Sequence, residues 1–451
     1  MAMASQTIAR QAVVIGAGIA GLAAARALSD HFEQVVVLER DSLGDGPVHR
    51  PGTPQAGHAH GLLVGGQHAL SELFPGFERD LVEAGAVRVR ANTDIRIERP
   101  GDSLPQRDLG LTNYALSRPA IEFATRQRLR SHANISLRDR CRVSELSASP
   151  DGTAVTGVRF EEDGSGSQEL PADLVVDASG HGAPTLALLK KTGLPLPEET
   201  LIGIDVAYAT GIFHIPSDAP ADWKAVLTFG GLSPTSARGA LMWPIEGNRW
   251  ILSLGGRHGD TPPGDVDGFM AFARTLRTPT IYNAVQNARL DGEIARYGFR
   301  DNVLRHFERL AVFPRGLVPV GDAICRFNPV NGQGMSVAAQ EACLLRQLLA
   351  TRSSPGDLLQ GLAKVFFEKI PALIDTPWNV AIFDFVHPAT RGQRPADLET
   401  RIKFSAALMK LAADDPDLHR LMAEVQHLLK PRSVYRDPAL LQRVLPLLAQ
   451  G

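Results

Sequence analysis

Cysteine is scarce. The 451-residue chain has three, Cys141, Cys325 and Cys343, at no paired spacing. Neither a disulfide frame nor a zinc knuckle follows from them, and a reducing compartment is the simpler setting. No apolar run reaches the ~18–20 residues that a membrane helix needs. Residues 1–10 lack the apolar core of a signal peptide, which predicts a cytoplasmic protein. Neither sign of charge is in excess: 47 Lys and Arg stand against 49 Asp and Glu, a net of −2. A nucleic-acid partner therefore gets no electrostatic support. No Ser-His-Asp or Cys-His constellation is visible, and no internal repeat. What is present is a 44% hydrophobic composition, enough to bury a large core, and length for roughly two or three domains.

Residues 11–15 are a short run rich in Val, the pattern of a buried parallel strand. Gly16-Ala17-Gly18-Ile19-Ala20-Gly21 follows, a GxGxxG that opens a helix of good helix formers. A second strand, 34–38, ends at Glu39. This is the arrangement a dinucleotide needs. Gly16 permits the tight turn, Gly18 lets a pyrophosphate approach the backbone, and Gly21 lets helix and strand pack closely. The helix N-terminus offers free N–H groups to the anion. A carboxylate at the distance of Glu39 binds ribose hydroxyls. FAD and NAD are not separated by this motif.

Two later segments narrow the choice. Residues 172–184 read ADLVVDASGHGAP: a buried strand over 173–176, then Asp177 and a glycine-rich turn. Residues 316–345 read GLVPVGDAICRFNPVNGQGMSVAAQEACLL: a strand over 317–320, Gly321-Asp322, a loop with Pro329, then Gly332-Gln333-Gly334-Met335 opening an apolar helix. In order and spacing the three segments resemble the signatures of FAD-dependent monooxygenases of the aromatic-hydroxylase fold. Arg50-Pro51-Gly52-Thr53-Pro54-Gln55 with His58-Ala59-His60, the 116–122 stretch LSRPAIE and the 205–210 stretch DVAYAT look like bacterial flavin epoxidases and hydroxylases of specialised metabolism, polyether epoxidases among them. The resemblance fades beyond about residue 345.

The resemblance implies an α/β chain with a discontinuous, glutathione-reductase-type Rossmann-like FAD-binding domain (8–75, 115–190 and 300–350). A β-sheet substrate domain (76–114 and 191–299) and a C-terminal helical region (351–451) complete it. Alternation at 241–245 and 250–254 agrees with strands there, and 269–276 reads as a helix. Asp322 matches the residue that binds the FAD ribityl chain, and Gly332 to Met335 match the helix start at the flavin pyrimidine edge. Asp177 matches a position near the pyrophosphate and pyridine nucleotide, although DASGHG is shorter than the usual form. Arg118 matches an FAD-contacting Arg, and its place at a helix start, unfavourable to the dipole, agrees with a functional role. Val143 matches a strand that meets adenine. Arg50 either balances an FAD phosphate or is a solvated loop residue, and Arg40 either covers the adenine or lies on the surface.

His58 and His60 read as flavin-edge or substrate contacts or as loop packing. They do not read as a metal pair, since no acidic or Cys partner clusters nearby. Tyr208, Phe213, Phe229 and Trp243 are either core or substrate wall, and Phe383, Phe385 and His387 are weaker candidates to cap the same cavity. The chemistry implied is attack by a C4a-hydroperoxyflavin, formed from O₂, on an apolar small molecule, giving an epoxide or a hydroxylated product. The cofactor carries that chemistry and no catalytic side chain is assigned. NAD(P)H would supply electrons directly or through a partner flavin reductase. The rivals are a flavin halogenase, whose WxWxIP signature is absent, a flavin reductase of isoprenoid-type double bonds, and a non-catalytic prenyl-chaperone-like protein.

Overall fold

The Val-rich N-terminal run folds as strand β1 (Ala9–Ile15), followed by helix α1 (Ile19–Ser29) and strand β2 (Phe32–Leu38). This computed structural model describes residues 7–99, 104–230, 237–352 and 356–448. The chain continues through α2 (Val64–Leu73), α3 (Phe77–Glu83), β3 (Val87–Arg90), β4 (Ile95–Glu98), β5 (Thr112–Ala115), α4 (Arg118–Arg130) and β6 (Ile135–Arg138). Next come β7 (Cys141–Ala148), β8 (Val155–Glu162), β9 (Gly166–Pro171), β10 (Leu174–Asp177), α5 (Ala183–Lys191) and β11 (Glu199–His214). Strands β12 (Ala225–Thr228), β13 (Gly239–Ile245) and β14 (Arg249–Arg257) precede α6 (Val266–Arg274), α7 (Thr280–Val285), β15 (Ala295–Arg305), β16 (Leu317–Pro319) and β17 (Cys325–Arg326). The helices α8 (Gly334–Ala350), α9 (Leu362–Ile382), α10 (Leu398–Asp414), α11 (Pro416–Gln426) and α12 (Pro438–Leu448) close the chain.

Five strands pair in parallel in the order β16-β10-β1-β2-β6. Their continuous Val runs have a physical cause, because both faces are covered. Val14, Val35, Val37 and Val176 pack against α1, α8 and α9. Val13, Val36, Leu38 and Val175 pack against the antiparallel ribbon β7-β8-β9. Each such side chain, buried fully, stabilises the fold by about 1.5–3 kcal/mol. This is an FAD-binding α/β fold, as the sequence implied.

The second sheet runs β17-β15-β11-β14-β13-β12-β4, antiparallel except for the β12–β4 pair. Alternation gives it two unlike faces. Phe213, Trp250, Leu252 and Leu254 point to one face and bury against α6 and α7. Tyr208, Thr210, Ile251, Ser253 and Trp243 point to the other, which meets the 54–61 loop and the short turn Phe383–Val386. This corrects one expectation: Phe213 faces away from the side that holds Tyr208. The second sheet also reaches into the predicted nucleotide segments, since β15 straddles residue 300 and β17 pairs with it. Helices α10–α12 form their own small core. They dock through Arg107, which donates to Ala412 O (2.9 Å). Among the described residues no helix is long and apolar enough to cross a membrane.

Candidate functional site

Three glycine-rich segments far apart in sequence meet at the carboxyl ends of β1, β10 and β16. Gly16, at φ +98°, sits where an added Cβ would lie 2.7 Å from Ala178 O. A Cβ on Gly21 would lie 1.9 Å from Gly16 O, so α1 can press on its own turn only through glycine. Ala20 abuts Gly321, and Gly182 abuts Ala323. Gly18 is different, because nothing in the chain lies within 4 Å of the position its Cβ would take. The α1 N-terminus there has no side-chain cap and no acid in its first turn.

Glu39, at the end of β2, accepts from Ala17 N–H (2.7 Å) and Asp41 N–H (3.0 Å). It also pairs with Arg50 (3.1 Å). Arg50 is buried and further bound to Glu122 (2.8 Å) and Asp41 (3.4 Å). Burial works against its charge, and Glu122 and Glu39 more than offset that. Glu122 in turn holds Arg118 (2.9 Å). Burial opposes the Glu122 carboxylate, and Arg118 and Arg50 keep it below the usual range. Arg50 is therefore already matched by carboxylates of its own chain. Arg118 also donates to His60 Nε2 (3.4 Å), and His60 Nδ1 donates to His58 O (2.8 Å).

Burial, with the Arg118 charge beside it, brings His60 down to about 3. Burial, with His49, brings His58 down to about 4. Both rings are neutral at pH 7. His58 Nδ1 meets Thr210 Oγ1 (2.6 Å), which meets Ser253 Oγ (2.6 Å). Among the described residues no carboxylate orients the far nitrogen of His58 in the manner of a hydrolytic triad. The ring lies beside Tyr297 (5.6 Å between centroids) and Tyr208 (6.0 Å). Tyr208 is fixed by donating to Asn328 Oδ1 (2.9 Å).

The Asp322 carboxylate has no hydrogen-bond or ion-pair partner among the described residues, although its backbone carbonyl accepts from Arg305 (3.4 Å). Burial lifts its pKa, against the pull of Arg118, Arg326 and Arg305. Its Oδ1 lies 3.8 Å from where a Cβ on Gly334 would stand, at the start of α8. That helix start also has no side-chain cap and no acid in its first turn. Gln333, at its N-cap, is buried with Oε1 unpaired. Gly332 turns the chain at φ +64° against Gly61 O, while Pro329 and Met335 flank the turn. Behind this, Glu341 on α8 accepts from Gly321 N–H (2.5 Å). Burial, and Asp322 nearby, push it up to about 8.

The remaining expected residues fall as follows. Asp177 is 0% exposed; Ser179 N–H (3.1 Å), Thr185 N–H (3.1 Å) and Thr185 Oγ1 (2.6 Å) all donate to it. It holds the turn beneath the site rather than facing a ligand. Val143 lies near the start of β7, where Cys141 N–H donates to Glu39 O (2.8 Å). Among the described residues the exposed Arg40 side chain donates to Gly52 O (3.5 Å). Trp243 is buried on the near face of the sheet with Nε1 unpaired. Phe229 is 37% exposed at the sheet edge, under the Arg99 guanidinium. Phe385 packs with Tyr208. His387 stacks instead on His258 (4.2 Å between centroids).

Sequence reasoning missed Thr210, Ser253, Asn328, Tyr297 and Glu341 as members of this region. Thr210 and Glu122 each end a motif already singled out, DVAYAT and SRPAIE, which was the available signal. The three cysteines are free and buried. No group of three or more metal-ligating residues stands together among the described residues.

The site has the parts FAD requires: an open Gly18 at an uncapped helix start, an unpaired carboxylate, and a second uncapped helix start with an unpaired amide oxygen. Residues 11–195 match the family model described as FAD dependent oxidoreductase. Protein Rv3254 of Mycobacterium tuberculosis is 35% identical over 361 residues, covering 77% of this chain and 75% of that protein. Among solved structures, a variant of the flavin-dependent brominase Bmp2 superposes with TM-score 0.66 at 13% identity, over 98% of this chain and 99% of that one. The p-nitrophenol 4-monooxygenase PnpA of Pseudomonas putida gives 0.63 at 18% identity, over 95% and 99%. These two share the fold while catalysing different reactions, so the fold alone does not choose between them.

Proposed function

The chain belongs to the FAD-dependent oxidoreductases, and from that premise we propose that it is a monooxygenase that epoxidises or hydroxylates an apolar small molecule. Bound FAD, once reduced, would activate O₂ and supply the transferred oxygen atom. The rest is the work of the chain. Gly18 and the α1 N-terminus would receive the pyrophosphate, with Glu39 on the adenosine ribose side and Val143 near the adenine. Asp322 would accept from a ribityl hydroxyl. The α8 start, Gly332 to Met335, would stabilise negative charge at the pyrimidine edge. Arg118 is held toward the same space by Glu122.

The single observation that carries this reading is the unpaired Asp322 in front of uncapped α8. That pair stands beside a sheet face bearing Tyr208, Thr210 and Trp243. An apolar face with few polar groups suits a hydrophobic substrate and keeps water from the reacting centre. The likeness of residues 50–60 and 116–122 to flavin epoxidases and hydroxylases supports oxygen transfer, and epoxidation needs no base from the protein. NAD(P)H would be the electron source, directly or through a flavin reductase, since the chain has no second GxGxxG.

The test supplies the FAD-loaded protein with NADPH, with and without an added flavin reductase, and screens polyenes and electron-rich aromatics. The expected product is heavier by one oxygen atom. A product that differs only by two hydrogens would favour the reductase reading instead.

A further inference from the structure

His58 is 6% exposed, and its Nε2 has no partner among the described residues. Its Nδ1 ends a chain of hydroxyls. Ala59 N–H donates to Ser253 Oγ (2.9 Å), so that oxygen is an acceptor and its hydrogen is available. Ser253 Oγ and Thr210 Oγ1 stand 2.6 Å apart, as do Thr210 Oγ1 and His58 Nδ1. Neither hydroxyl has another described acceptor.

Two orders of donation run one way along the chain; a third, with both His58 Nδ1 and Ser253 donating to Thr210, leaves the Thr210 hydrogen and the Nε2 lone pair unused. If His58 Nδ1 donated to Thr210 and Thr210 to Ser253, the Ser253 hydrogen and the Nε2 lone pair would both be left unused. If Ser253 donates to Thr210 and Thr210 to Nδ1, only the Nε2 hydrogen is left. The second order satisfies more groups and fixes the tautomer. It buries an N–H donor that lacks an acceptor, on the sheet face nearest the flavin segments. On the same face, the Trp243 indole N–H is also buried without a described partner.

We infer that the Ser253–Thr210 relay locks His58 as a neutral Nε2–H donor whose acceptor is a carbonyl oxygen of the bound ligand. This rests on the reading above, in which flavin and substrate meet at this face. The carbonyl belongs either to the flavin ring or to the substrate. In the second case the substrate is an apolar molecule with a carbonyl group rather than a hydrocarbon. A site built around a buried donor discriminates against ligands that leave it unpaired.

The experiment records ring ¹⁵N signals of histidine-labelled protein with FAD bound at pH 7. The His58 signal is identified by its loss in His58→Gln and, independently, by its shift in Thr210→Val. The expected form is neutral with hydrogen on Nε2, and Thr210→Val should transfer part of that hydrogen to Nδ1. An Nδ1–H ring in the parent protein overturns the inference. Two titrations identify the acceptor: FAD into the flavin-free protein, and fluorenone against fluorene, which lacks only the carbonyl, into the flavin-bound protein. A change of the Nε2–H signal on adding FAD assigns the flavin carbonyl. A change with fluorenone alone assigns a substrate carbonyl, and fluorenone should then bind about 3- to 10-fold tighter than fluorene, a gap that closes in His58→Phe. No change in either titration leaves only water as the partner and overturns the inference. The tautomer is read without any turnover, so a failure here is separate from a failure of oxygen transfer.

Discussion

Asp322 is a carboxylate set where burial disfavours its charge, without a partner of its own. Its removal should therefore act on the ligand rather than on the fold. Asp322→Ala is expected to weaken FAD binding by about 10- to 100-fold, the worth of a charge-assisted hydrogen bond of roughly 1.5–3 kcal/mol. The flavin-free variant should melt no lower than the parent. Flavin fluorescence titration and thermal melting of the flavin-free protein check the two halves, and unchanged FAD affinity would remove Asp322 from the site. Glu341 behaves differently. Its folded pKa of about 8 lies above the ordinary 4.5. Its contribution to stability is thus full below about pH 4.5 and is lost as pH rises through about 8. Glu341→Gln should flatten that loss, so that the variant gains on the parent between pH 5 and 8.5 in denaturant midpoints. Equal pH profiles for the two proteins would mean that Glu341 titrates as an ordinary exposed carboxylate.

The glycines of the β1–α1 turn separate structure from ligand at the level of the element. A methyl at Gly21 would meet Gly16 O at 1.9 Å, so Gly21→Ala should destabilise the whole α1–β1 unit and lower the melting temperature even without flavin. A methyl at Gly18 meets nothing of the chain within 4 Å. Gly18→Ala should fold normally and lose FAD affinity, because the methyl would stand where the proposed pyrophosphate approaches. If Gly18→Ala melts early, or keeps full FAD affinity, the turn is not a phosphate site. Elements of this kind were legible in the sequence. Short Val runs have the pattern of central parallel strands, and the observed β1, β2 and β10 lie within two residues of the expected bounds. Side-chain direction was less legible. Phe213 and Tyr208 are both aromatic, yet five positions separate them on one strand, and an odd separation places them on opposite faces. The motif around Asp177 points to the site, while its bonds to Thr185 depend on where α5 begins, which the motif does not specify.

For the whole molecule, the proposed chemistry needs two sheets to meet at one ligand. In the proposed reading the parallel sheet and the starts of α1 and α8 would hold the cofactor. The near face of the antiparallel sheet, with His58, Tyr208 and Trp243, would then hold what the cofactor acts on. The order of the three glycine-rich segments announced the first part. The second was only partly visible, because the His58–Thr210–Ser253 link joins residues 152 and 43 positions apart. The central claim is that one atom of dioxygen enters the substrate. The most direct measurement is turnover under ¹⁸O₂ in ordinary water, followed by mass spectrometry of the product. The account predicts a product carrying one ¹⁸O atom. An oxygenated product labelled only from water, or turnover whose product carries no new oxygen, would contradict it.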